Sequence, residues 1–107
     1  MNETEIQNQL RIQKGYVNDA KKSADSGYAQ RSVDSLVQAR RCQDKISSML
    51  LGIEKEGGLV EVTPELVQRG MKVCDDHYAQ ETMKIFREGV DYCARRLGEA
   101  EFRRMMN

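Results

Sequence analysis

The sequence has little of what recognisable functional signatures require. It contains no tryptophan, one proline, and only four tyrosines and two phenylalanines in 107 residues. A single histidine excludes any site built from paired histidines, including a di-iron bundle with Glu-x-x-His on two helices. No P-loop, dinucleotide-binding glycine fingerprint, HExxH or EF-hand pattern occurs. Net charge is also missing, because seventeen basic residues balance seventeen acidic ones. A neutral chain has no global pull toward nucleic acid or an anionic membrane, which leaves only local basic clusters to consider. No apolar run approaches the roughly 20 residues of a membrane-spanning helix. The opening MNETEIQNQL has neither a basic start nor an apolar stretch, so no secretory signal is expected. Three cysteines (Cys42, Cys74, Cys93) cannot all pair within one chain, and free thiols in a reducing cytoplasm are expected.

What is present favours helices. Charged residues make up 32% of the chain and mean hydropathy is −0.69. Straight-chain Gln, Glu, Lys and Arg lose little rotamer freedom in a helix. One domain of this size buries roughly two-thirds of its unfolded surface. So polar a chain gains from self-association.

Ile6, Leu10, Val17, Ala20 and Ala24 recur at helical spacing and predict a helix over about 3–24. Gln13 stands where another apolar residue is expected. Asp25-Ser26-Gly27 reads as a break, with one bent helix over 3–55 as the alternative. A second helix is expected over about 28–55, carrying Val33, Leu36, Val37, Ala39, Ile46, Met49, Leu50 and Ile53 and closed by Gly57-Gly58. Leu59-Val60-Glu61-Val62 is expected to be an extended connection that lays apolar side chains on the core.

The strongest local signal is Thr63-Pro64-Glu65, an N-cap, a first-turn proline and an acidic residue suited to the helix dipole. Val62 and Val67 are spaced for a hydrophobic staple. The helix is predicted to run over 64–97, about 50 Å at 1.5 Å per residue. Met71, Tyr78, Ile85 and Tyr92 recur every seventh residue, the repeat of a coiled-coil seam. Phe86, Val90, Cys93 and Leu97 form a second row beside it. Two rows make an apolar face wide enough for several neighbours. A short C-terminal helix is expected after Gly98.

The fold class is therefore all-α: an antiparallel bundle of three main helices plus a short C-terminal one, in a single domain over 1–107. Dimerisation is expected through the long helix, at an interface of Met71, Tyr78, Ile85, Phe86, Gly89 and Tyr92, with Gly89 allowing close helix approach. Arg40 and Arg41, Arg95 and Arg96, and Arg103 and Arg104 are candidate phosphate contacts if packing gathers them. Cys74 and His77 lie three apart and Glu81 four further on, so the three share one helix face. Cys and His at such spacing can bind zinc, but only half of one ligand pair is present. A buried cysteine beside a surface histidine is the simpler reading, and no metal, cofactor or catalytic residue is expected.

Residues 10–37 resemble the opening of the small helical copper- and formaldehyde-responsive repressors. The resemblance rests on Arg11-Ile12, Gly15, Val17 and a tyrosine, Tyr28, at a helix–helix break. The cysteine which that family carries just after the break is missing, since Ala29 and Gln30 stand there, and the long helix after Pro64 has no place in the family's pattern. The resemblance assigns no membership.

The function expected first is a non-catalytic protein–protein interaction module: a small adaptor, chaperone or inhibitor using a helical face, bound to another protein or to itself. A DNA-binding regulator using the arginine clusters ranks second. A metal sensor or enzyme centred on Cys74 and His77 ranks third.

Overall fold

The computed structural model describes residues 3–52 and 61–107. These form five helices: α1 (Glu3–Asp25), α2 (Ala29–Leu51), α3 (Pro64–Cys74), α4 (His77–Leu97) and α5 (Glu99–Met106). There is no strand among the described residues, and the chain is all-α. No helix among them is long and apolar enough to cross a membrane.

The expected break after α1 is real and its chemistry is visible. Gly27 adopts a φ of 81°, the left-handed region that costs glycine least. The Tyr28 amide donates to the Ser23 carbonyl (2.8 Å) and the Gly27 amide to that of Ala24 (3.0 Å). These two bonds form a Schellman motif, which satisfies carbonyls that the end of a helix leaves open. The chain therefore reverses here, and one bent helix over 3–55 is excluded. Helix α2 ends at Leu51, earlier than 55, because Gly52 (φ 72°) turns its amide back to Met49 at 3.2 Å. Ile53, Gly57-Gly58, Leu59 and Val60 lie outside the described residues.

Thr63 caps α3 as its sequence predicts. Its side chain accepts from the Leu66 amide (3.2 Å), and Pro64 occupies the first turn. Val62 and Val67 both stay exposed, so a staple between them has little area to bury.

The single helix over 64–97 is not formed: the chain breaks at Asp75-Asp76. The Asp75 and Asp76 amides make tight-turn bonds to Lys72 (3.1 Å) and Val73 (2.9 Å). Asp76 is extended, with ψ 137°, and its carboxylate accepts from the Tyr78 amide at 2.8 Å. A short acidic side chain that competes for nearby backbone N–H groups is a poor helix-interior residue and a good cap. The Gln80 side chain donates to the Cys74 carbonyl (3.4 Å), which gives the end of α3 one more partner.

The core is shared by α1, α2 and α4, each of which packs on the other two. The buried row on α1 is Ile6, Leu10, Gln13, Val17, Ala20 and Ala24, at alternating spacings of four and three. Ser32 of α2 donates to Ala20 of α1 (2.7 Å), and Gln13 of α1 donates to Ala39 of α2 (3.2 Å). The partners therefore run in opposite order along these two helices. Two apolar clusters result. One holds Ile6, Leu10 and Ile46, and the other is built on Val17, Leu36, Cys93 and Phe102. Ile85 packs against both. Phe102 anchors α5 and is fully buried.

Candidate functional site

The rotation of α4 decides which side chains are free to act. Thr82 and Gln13 are almost fully buried, at 1% and 0% exposure. The Thr82 hydroxyl donates to the Gln13 amide oxygen at 2.6 Å. The Gln13 NH₂ group donates to the carbonyls of Ala39 and Thr82, each at 3.2 Å. One amide thus fixes α1, α2 and α4 together, with every buried polar atom of the pair engaged, as burial demands.

This orientation turns most of the row at every seventh residue inward. Gly89 is buried, and a Cβ there would lie 2.8 Å from Val17 Cγ1 and 3.2 Å from Leu36 Cδ2. Its close approach is made to α1 and α2 within the chain. Tyr78, Ile85 and Tyr92 are half-buried against the intrachain clusters. The Tyr92 hydroxyl donates to Asp25 at 2.8 Å. Met71 alone of that row is solvent-facing, at 68% exposure on α3. The second row, Phe86, Val90, Cys93 and Leu97, belongs to the cluster built on Val17, Leu36 and Phe102, and the Arg40 guanidinium of α2 lies over the Phe86 ring at 6.0 Å.

The arginines separate into paired and unpaired groups. Arg96 forms an ion pair with Asp25 at 2.9 Å, and its pKa is raised, first by its contact with Tyr92 and then by Asp25. Arg103 pairs with Asp91 (3.0 Å) and Glu99 (3.6 Å); the bond to Asp91 is the main cause of its raised pKa. Arg95 donates to the Asp91 backbone carbonyl (3.3 Å). Arg40, Arg41 and Arg104 are exposed and form no ion pair among the described residues. The six candidate phosphate contacts are not equivalent: two are already neutralised by carboxylates.

Cys74 is exposed at the end of α3 and His77 opens α4, with its imidazole 3.4 Å from Glu81. Cys42 and Cys93 are buried elsewhere, and burial pushes both thiols up. A thiol held protonated is a weaker nucleophile and metal ligand. No group of three or more metal-binding side chains is gathered among the described residues.

An open groove remains between α2 and α4, with a volume of about 240 Å³, lined by Arg40, Gln43, Met83, Phe86 and Arg87. Arg40 and Phe86 stand out in the sequence, as a basic pair and a stripe residue. Gln43, Met83 and Arg87 do not, since only the packing of α2 on α4 brings them there.

No known protein family, curated protein or solved structure matches the chain.

Proposed function

We propose that the chain is a non-catalytic interaction module: an antiparallel bundle of three main helices that offers a helical face to another protein or to a second copy of itself. The observation that supports this is the set of large apolar side chains left outside the core. Val67 and Met71 on α3 and Met83 on α4 are all at least half exposed. Helix α3 has a strong apolar side yet buries no residue completely. Val67 and Met71 are four residues apart, on one side of α3, and apolar residues left exposed together mark interaction surfaces in proteins with otherwise polar exteriors. Self-association belongs to the same reading, with Met71 as its apolar contact.

The test places a photo-crosslinking amino acid at Met71, at Met83 or at the exposed polar position Asp19 on α1, and follows adducts in the cells that make the protein. The reading predicts a discrete adduct at Met71 or Met83 that is absent at Asp19. Equal adducts at all three positions, or none, contradict it. Sedimentation decides the self-association part, which fails if the chain stays a folded monomer at tens of micromolar. Retention on heparin with a steep salt dependence would instead favour the nucleic-acid reading.

A further inference from the structure

Helices α3 and α5 both pack against α2 and α4, while the groove of Arg40, Gln43, Met83, Phe86 and Arg87 stays open on that same pair. Its floor is apolar: Met83 is 53% exposed and Phe86 is half-buried. Its rim is cationic, since Arg40 and Arg87 face no carboxylate within ion-pair distance among the described residues. This contrasts with Arg96 and Arg103, which the fold neutralises itself. Gln43 lies beside Arg40 and Arg87, with its side-chain oxygen buried and without a hydrogen-bond donor among the described residues.

We propose that this groove receives an acidic amphipathic helix from a partner protein, with apolar side chains on Met83 and Phe86 and carboxylates against Arg40 and Arg87. The proposal rests on the reading of the chain as an interaction module and specifies the partner's chemistry. A furrow between two helices suits a third helix, which places anchors three and four residues apart on one face. Guanidinium groups bind carboxylates through paired, charge-assisted hydrogen bonds. Nucleic acid fits less well. Its phosphates ask for a continuous basic track, and two of the six candidate phosphate contacts, Arg96 and Arg103, are already paired with carboxylates. The volume is also below the roughly 300–1,000 Å³ of small-molecule clefts.

The experiment selects random phage-displayed peptides of about four to five helical turns on the immobilised whole chain, then measures a labelled synthetic copy of the enriched sequence by fluorescence anisotropy. The expected sequence combines Asp or Glu with apolar residues at helical spacing. Its affinity should fall on the order of tenfold or more in Arg40→Glu/Arg87→Glu, weaken with salt, and be unchanged in Asp19→Asn, an exposed position on α1. Both arginines are exposed, and circular dichroism confirms that the variant folds; Arg40→Gln/Arg87→Gln, expected to show a smaller loss, separates lost attraction from added repulsion. A neutral or basic enriched sequence, binding that survives the arginine reversal, or displacement by a single-stranded oligonucleotide overturns the proposal. Peptides that bind but are lost in Met71→Glu instead remove this proposal and leave the interaction reading standing. If no peptide is enriched, both fall.

Discussion

The Thr82 hydroxyl donates to the Gln13 amide oxygen at 2.6 Å across a contact that water does not reach. The two residues are 69 apart in sequence, and their bond sets the rotation of α4 about its own axis. With Thr82 facing α1, Gly89 and Cys93 turn into the core, and Met83 and Arg87 turn toward the groove beside α2. A polar pair in an apolar row therefore decides which face of α4 is left exposed.

Either partner removed alone should be costly. Thr82→Val strands the Gln13 amide oxygen, and Gln13→Leu strands the Thr82 hydroxyl. Each single change is expected to cost about 1–3 kcal/mol, the range for an unsatisfied buried polar group. The double variant should cost less than the sum of the two, because no polar atom of the pair is then left alone. Urea unfolding of the four proteins measures this. Strict additivity would show that the bond carries no coupling.

The glycines of α1 and α4 should respond in opposite directions. At Gly89 a methyl group would lie 2.8 Å from a γ-carbon of Val17, a β-branched side chain with little rotamer freedom in a helix. The overpacking, about 1–3 kcal/mol, outweighs the helix-propensity gain of about 1 kcal/mol, so Gly89→Ala should lower the melting temperature. Gly15 has no neighbour within 4 Å of such a methyl group. Gly15→Ala should therefore stabilise by up to about 1 kcal/mol. A stabilising Gly89→Ala would contradict the close approach of α4 to α1 and α2.

The thiols give a pH dependence with a defined sign. Burial holds Cys42 and Cys93 protonated above their ordinary value of 9.0, and contact with Ser32 opposes this at Cys93. The unfolded chain then loses these protons first, so its bound-proton count falls below that of the folded chain as pH rises. The two groups' contribution to stability is fully present below pH 9.0 and is lost as pH climbs through the folded values. Denaturation midpoints should fall less steeply above pH 9.0 in Cys42→Ala/Cys93→Ala than in the parent. Cys74 is exposed, and it alone should react promptly with a thiol reagent in the folded protein. Prompt reaction of all three would contradict the burial of the other two.

The parts of this fold that were legible in the sequence are those with local causes. Thr63-Pro64 starts a helix because a hydroxyl and a fixed φ act within one turn, and Gly27 ends one because only glycine takes its backbone angles readily. The break at Asp75-Asp76 also has a local cause, yet the pattern hid it. Met71 and Tyr78 are seven apart and read as one continuous stripe, although Met71 is solvent-exposed on α3 and Tyr78 packs against the cluster of Ile6, Leu10 and Ile46. Gln13 was visible as an anomaly in an apolar row, but its meaning lay in Thr82, a residue that only tertiary packing brings near. The groove was hidden for the same reason. Arg40 and Arg87 come from different helices, and no periodicity shows which sides of those helices meet. Nor does the sequence show which arginines are neutralised, because Asp25 reaches Arg96 only after α1 and α4 have packed.

One face of α4 is committed to the core while the neighbouring face lies open to solvent, and thiol labelling compares the two faces directly. In a Cys74→Ser background carrying Met83→Cys, native Cys93 reports the inward face and the introduced thiol reports the groove. In the folded protein the introduced thiol should react with a maleimide at nearly the rate of the unfolded chain. Cys93 should react more slowly by at least about tenfold, since its exposure requires local opening. Equal rates at the two positions, or faster labelling of Cys93, would contradict the orientation of α4 and the groove that depends on it.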